Sequence, residues 1–202
     1  EIWGSLQANG QIYLLNPNGI LFGAGSSVNV GGLIAAAMNS MEGGYGSDSI
    51  RFSGGGPVTV QGGASISAGK YAYLIGSVVD NAGSISAGDV ILAAGAGDSI
   101  ELVREPDGST ISIVIGGTPQ DASETAGGDV ASGENPAAED PAEGLAQGTV
   151  QNTGVINASG EIGGNVQMQA SDIVHTGSIN ADGATGAGGV VTMQASANIL
   201  IG

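Results

Sequence analysis

The heptapeptide NAGSISA at residues 81–87 returns later in the chain as NTGVINA at 152–158 and HTGSINA at 175–181, with a partial copy, GASISA, at 63–68. The spacing is 19 residues from Ile66 to Ile85 and 23 residues from Ile156 to Ile179. Each copy leads through a glycine-containing turn into a short apolar strand, at 71–75, 90–93, 166–169 and 190–194. A unit of about 20 residues built from short strands and Gly, Asn and Ser corners is typical of a parallel β-helix.

Apolar residues alternate with polar ones inside many of these segments, as at Ile12 and Leu14, Val58 and Val60, and the run 111–115. Period-two alternation directs one set of side chains inward and leaves the other outside. A β-sandwich or barrel also has short alternating strands, but its hairpins seldom repeat one phrase in the same internal order. The sequence therefore predicts an all-β protein, a single-stranded parallel β-helix whose repeat corners are occupied by Asn81, Asn152 and His175.

Composition narrows the possible partners. The 202 residues include 39 Gly and no Cys, and 3 Lys and Arg stand against 19 Asp and Glu, for a formal net charge of −16. Nucleic acid and anionic membrane surfaces attract basic proteins, so neither is an expected partner. No run of about 18 apolar residues occurs, so the sequence predicts no membrane-spanning helix.

An acidic segment, residues 117–148, interrupts the repeats. It holds seven acidic residues, no basic residue and three of the six prolines. Such a segment buries too little apolar surface to offset its ordering entropy, which predicts a mobile loop inserted into one coil. Ile111–Ile115 and Thr149–Ile156 would then be consecutive passes of the same wall. With about eight coils outside the loop, the rod would be about 40 Å long. The loop is either simply solvated or binds a cation or a partner.

Conventional active-site patterns are missing. His175 is the single His in a chain without Cys, there is no G-x-S-x-G elbow, and Gly23-Ala24-Gly25 lacks the dinucleotide-binding spacing. We therefore predict no catalytic residue, no metal ligand and no cofactor. Paired carboxylates on a solenoid face are the remaining route to polysaccharide cleavage, with few aromatic residues to stack a sugar. The candidates are Asp48, Asp89, Asp98 and Glu101.

A second motif lies in the first third of the chain, where GQIYLLNPNGILFG at 10–23 is followed by VNVGGLIA at 28–35. This stretch resembles the secretion domain of filamentous haemagglutinin-type exoproteins, the passengers of bacterial two-partner secretion. The phrase Asn16-Pro17-Asn18-Gly19-Ile20 is the most diagnostic part. The later Asn-x-Gly-x-Ile-x-Ala repeats are similar to the shaft coils that follow that domain.

The resemblance implies a right-handed β-helix on a protein that is secreted to the bacterial cell surface. It implies recognition by an outer-membrane transporter with periplasmic domains, and a secretion role for Asn16, Pro17, Asn18, Gly19 and Ile20. An earlier Asn-Pro-Asn-Leu motif, the signal peptide and the N-terminal cap of such domains are absent, so we expect an internal piece of a longer chain. The expected division is a secretion-domain part at 1–80, β-helix coils at 81–116, the acidic loop at 117–148 and shaft repeats at 149–202.

Three functions remain open on the sequence. The leading interpretation is a non-enzymatic, adhesin-like shaft segment that meets a receptor or glycan on a host or neighbouring cell. The second is a subunit of an extracellular filament or sheath, joined end to end through unpaired strand edges. The third, weaker one is a carbohydrate-active β-helix.

Overall fold

The computed structural model describes residues 1–43, 49–96, 99–104, 111–116 and 148–202, and these residues form strands, turns and irregular segments without a helix. The strands are β1 Ser5–Leu15, β2 Ile20–Phe22, β3 Ser27–Ala36, β4 Ser40–Glu42, β5 Ser49–Ser53, β6 Pro57–Val60, β7 Ser65–Ala68, β8 Tyr71–Gly76, β9 Val78–Asn81, β10 Ser84–Ser86, β11 Asp89–Ala94, β12 Ile100–Arg104, β13 Ile111–Ile115, β14 Thr149–Asn152, β15 Val155–Asn157, β16 Asn165–His175, β17 Ser178–Asn180 and β18 Val190–Ile201.

Fourteen of these strands form one parallel sheet that coils through three walls. Wall A stacks residues 5–8, 27–30, 65–68, 84–86, 155–157 and 178–180. Wall B stacks 11–15, 32–36, 71–76, 89–94, 165–170 and 190–195. Wall C stacks 20–22, 57–60, 78–81, 149–152, 172–175 and 198–201. The prediction of a parallel β-helix is confirmed, and parallel pairing rules out the sandwich.

Columns of apolar side chains fill the space between the walls. The repeated isoleucine of the sequence phrase lies in one such column, in which successive coils of wall A contribute Leu6, Val28, Ile66, Ile85, Ile156 and Ile179. Wall C contributes Ile20, Val58, Val79, Val150, Ile173 and Ile199. Burial of these columns supplies the main stabilisation, at about 25 cal/mol per Å² of apolar surface.

In the part of the chain that the structure describes, each wall contains six strand segments, fewer than the eight coils expected from the sequence. Six coils at about 4.8 Å per coil give a rod of about 29 Å rather than about 40 Å. The difference arises because several alternating segments that the sequence analysis assigned to coils belong to a second sheet.

That second sheet is antiparallel, with strand order β13-β12-β5-β4. It lies against the outer side of wall B, where Ile34, Tyr73 and Ile91 are buried with Phe52 and Leu102 in a second hydrophobic core. The chain leaves the β-helix twice to build it, after Ala36 and after Ala94. We call these two departures the first excursion (37–56) and the second excursion (95–148).

The prediction that Ile111–Ile115 is a pass of the same wall as Thr149–Ile156 is therefore wrong. Ile111–Ile115 pairs antiparallel with β12, whereas Thr149–Asn152 pairs parallel with β9 and β16. Within the segment 81–116, strands β10 and β11 belong to the β-helix, and β12 and β13 belong to the second sheet. The alternation of ISIVI suits any strand with one buried face, so its period does not distinguish the two sheets. The predicted acidic loop lies outside the described residues, apart from Gly148 at its end.

Candidate functional site

The Asn16–Ile20 segment is a tight turn that joins wall B to wall C. The backbone N–H of Gly19 donates to the carbonyl oxygen of Asn16 at 3.2 Å, which closes a β-turn with Pro17 and Asn18 at its centre. The N–H of Asn18 donates to the side-chain oxygen Oδ1 of Asn16, also at 3.2 Å. Pro17 suits the second position because its ring fixes φ near the value that the turn requires. Gly19 has φ of +115°, a conformation that residues with a Cβ rarely adopt.

The next coil presses closely against this turn. A Cβ on Gly56 would lie 2.7 Å from the carbonyl oxygen of Pro17 and 2.8 Å from the nitrogen of Gly19. A Cβ on Gly19 would lie 3.2 Å from the carbonyl oxygen of Pro57. Gly56 and Pro57 were not singled out from the sequence, although three consecutive glycines, 54–56, immediately before a β-strand are an unusual signal for a close backbone approach.

The turn divides its residues between solvent and core. Asn16, Pro17 and Asn18 are exposed, whereas Ile20 is 6% exposed and lies in the interior column of wall C. The motif therefore offers a rigid, uncharged surface of two carboxamides and a proline ring. It contains no acid, base or nucleophile, so its chemistry is limited to hydrogen bonding and shape.

The three predicted corner residues lie one above another, where wall C turns into wall A. Asn81 pairs in register with Asn152, and Asn152 pairs with His175. The backbone carbonyl of Asn81 accepts the N–H groups of Thr153 and Gly154, both at 2.9 Å. The carbonyl of Asn152 accepts from the two equivalent positions of the following coil at 3.0 Å. Close packing requires the glycine of each Asn-x-Gly phrase, because a Cβ on Gly154 would collide with the carbonyl oxygen of Gly83, and a Cβ on Gly177 with that of Gly154.

The two described candidates for a carbohydrate-cleaving site, Asp89 and Glu101, lie on different sheets. Asp89 accepts hydrogen bonds from Asn165 on wall B, and Glu101 lies on the second sheet. Asp48 and Asp98 lie outside the described residues. Within the ranges that the structure describes, no group of three His, Cys, Asp or Glu side chains is placed to hold a metal ion.

Arg51 and Glu101 form an ion pair that joins the two excursions. Arg51 of β5 donates to Glu101 of β12 at 3.0 Å, and the two residues face each other across the antiparallel pair. Hydrogen bonds from Arg51 and then from Ser49 hold the pKa of the Glu101 carboxyl below its usual value of 4.5. The pair links the sheet internally and is remote in sequence from the turn at Asn16–Ile20.

Comparison with known protein families decides what this architecture is. The model of the TPS secretion domain matches residues 1–198. The chain belongs to the TPS secretion domain family. The match includes the coils that were expected to form a separate shaft, and it continues beyond the expected boundary at residue 80.

The similarity to a curated relative is more local. Over 35 residues the chain is 51% identical to a heme/hemopexin-binding protein of Haemophilus influenzae, a stretch that covers 17% of this chain and 4% of that protein. The chain thus aligns with only a small part of the relative.

Membership in this family places the protein among the exoproteins of two-partner secretion, which reach the extracellular space or the cell surface. It implies an interaction with a transporter in the outer membrane. In the described part of the secretion domain, no helix is long and apolar enough to cross a membrane.

Proposed function

We propose that this segment is the recognition domain through which a two-partner-secreted exoprotein engages its outer-membrane transporter. The observation that carries the proposal is the match of the TPS secretion domain to residues 1–198. Within the domain we assign recognition to the turn Asn16, Pro17, Asn18, Gly19 and Ile20, where exposed carboxamides stand on a rigid backbone.

The turn suits recognition because its shape is fixed before a partner arrives. Its internal hydrogen bonds and the close contact with Gly56 limit the conformations that would have to be lost on binding. A preformed turn costs little entropy on association, so a small surface contributes more of its contact energy to affinity. The periplasmic domains of the transporter are the partner that this assignment requires.

Beyond export, we assign the exoprotein a binding role without catalysis, as an adhesin-like shaft that meets a receptor or glycan on a host or neighbouring cell. The relative from Haemophilus influenzae is named for what it binds, which agrees with a binding role. The site offers carboxamides and backbone groups and no acid–base pair. End-to-end association of the rods would instead give a filament. Negative-stain images distinguish the two, because discrete rods support the shaft and continuous fibres support the filament.

Secretion of substituted chains tests the recognition role. The exoprotein is coexpressed with its transporter, and Asn16→Ala and Asn18→Ala are compared with Asn180→Ala, which alters an exposed asparagine on wall A. We expect the first two variants to lose most of the secreted protein and Asn180→Ala to keep it. Protease resistance of the distal coils reports whether folding is retained. Wild-type secretion and wild-type protease resistance in Asn16→Ala and Asn18→Ala would contradict the assignment.

A further inference from the structure

A chain of polar side chains runs through the interior along the corner of walls C and A. Asn81 and Asn152 are fully buried, and Asn81 Nδ2 donates to Asn152 Oδ1 at 2.7 Å. Asn152 Nδ2 lies 3.0 Å from His175 Nδ1, and the N–H of Gly83 donates to Asn81 Oδ1 at 3.2 Å. Because the carboxamide nitrogen of Asn152 is only a donor, Nδ1 of His175 acts as the acceptor. We call Asn81, Asn152 and His175 the amide column.

Packing alone does not require polar groups at these positions. On the other coils the same register position holds Phe22, Val60 and Ile201. Phe22 and Val60 are fully buried in the main core. An apolar side chain therefore fits this corner, and burying a carboxamide there is favourable only while the carboxamide keeps its partners.

The first two residues of the amide column, Asn81 and Asn152, lie on the neighbouring strands β9 and β14. In the sequence, the second excursion lies between these two strands. The chain leaves the β-helix from wall B after Ala94 and re-enters it in wall C at Thr149. There β14 pairs with β9, and the pairing could form in more than one register. A slip of one residue would turn Val150 outward, and the apolar pattern prevents it. A slip of two residues keeps the alternation of inward and outward side chains, so the apolar pattern does not prevent that slip.

The buried carboxamides distinguish these two registers. In the observed register Asn81 faces Asn152, and both are satisfied. After the slip of two residues that places Asn157 opposite Ser84, Asn152 would face Val79 and Asn81 would face Gly154. Neither carboxamide would face the other, and a buried carboxamide without a partner is costly. We propose that the amide column sets the register in which the chain rejoins the β-helix after the second excursion.

Disulfide trapping tests the proposal, since the chain contains no cysteine that would interfere. Ser84 faces Val155 across wall A, and neighbouring parallel strands are about 4.8 Å apart, within the range of a disulfide. Ser84→Cys with Val155→Cys reports the observed register, and Ser84→Cys with Asn157→Cys reports a slip of two residues. Cross-links are measured after refolding from urea in the parent and in the triple variant Asn81→Val, Asn152→Val and His175→Val.

We expect the ratio of native to slipped cross-link to fall about tenfold in the triple variant, because without the carboxamides neither register leaves a buried polar group unpaired. A ratio equal to that of the parent would overturn the proposal. If a protease degrades the triple variant as fast as the unfolded chain, Asn152→Val alone supplies the ratio. In that variant a fall in the ratio supports the proposal, and a parental ratio again overturns it.

Discussion

The chain rejoins the β-helix after each of its two excursions, and the two returns are held by different kinds of contact. At the first return, Gly56 and Pro57 lie against the Asn16–Ile20 turn through backbone atoms at the surface. At the second return, Asn152 reaches Asn81 through a buried side-chain hydrogen bond. The shorter excursion thus ends in close backbone packing, and the longer one ends in a hydrogen bond between two buried carboxamides.

This difference shows how a solenoid tolerates insertions. A longer closed loop costs only slightly more entropy, but it leaves the returning strand with less local guidance about its register. A close backbone fit suffices where the segment is short. A buried carboxamide pair adds a preference that apolar packing lacks, because only one register satisfies it.

We expect the largest loss of stability from Gly56→Ala, which disrupts the backbone packing at the first return. The new Cβ would approach backbone atoms of Pro17 and Gly19 that cannot rotate away. We expect a loss of about 3 kcal/mol in the free energy of unfolding, measured by urea denaturation. Gly62→Ala is the matched control, since its Cβ would meet nothing closer than 3.8 Å and should change stability little. Equal stability of the two variants would show that the close fit at the first return is unimportant.

Asn152→Val acts on the second return and is expected to have the next largest effect. It leaves the buried Nδ2 group of Asn81 without its acceptor, at a cost of about 1–3 kcal/mol. The double variant Asn81→Val with Asn152→Val should lose less than the sum of the two single losses, because neither carboxamide remains unpaired. Urea denaturation of all four proteins completes the double-mutant cycle. Strictly additive losses would mean that the two side chains are not coupled.

Gln167→Leu removes a contact made by the second excursion and leaves the hydrogen bond at the second return intact. Gln167 Nε2 donates to the carbonyl oxygen of Ile111 at 2.8 Å and ties β13 to wall B. We expect faster hydrogen exchange in β13, with a change of about 1 kcal/mol in its local opening free energy. Exchange in β9 and β14 should stay unchanged. Faster exchange in all three strands would show that the second sheet and the return unfold together.

We expect the smallest loss of stability from removal of the ion pair between Arg51 and Glu101, and this loss should depend on pH. The pKa of Glu101 is lowered in the folded state, so its pairing stabilises the sheet above the usual pKa of about 4.5 and is lost as the pH falls through the lower folded value. Because the pair is at the surface, we expect Glu101→Gln to cost at most about 1 kcal/mol at pH 7. Thermal unfolding of both proteins should converge below the folded pKa. An equal difference between them at acid and neutral pH would contradict this account.

Sequence patterns predicted the β-helix because its signal is local and repeated. The isoleucine of each Asn-x-Gly-x-Ile-x-Ala phrase lies in a single interior column, and the phrase begins at the stacked corners Asn81, Asn152 and His175. The second sheet was missed, although the strands 71–76 and 89–94 are almost continuously apolar. Such runs are typical of strands buried on both faces, and they were the available sign that wall B is covered.

At the candidate site, the sequence predicted the turn residues but not what lies beneath them. Pro17, Asn18 and Gly19 predict a turn from local conformational preference alone. Their contact with Gly56 joins segments separated by the whole first excursion, so no local pattern contains it. The recognition role of the turn stays a prediction for the secretion experiment.

By itself the sequence determined the coil, because side-chain alternation and glycine corners act within a few residues of the chain. It also determined the strongly acidic character and, through its motif, the family. Only the tertiary structure decided that ISIVI at 111–115 covers wall B and that Asn81 meets Asn152 inside the core. The physical reason is that alternation specifies which face of a strand is buried, whereas the choice of neighbouring strand depends on hydrogen bonds and apolar surfaces contributed by distant parts of the chain.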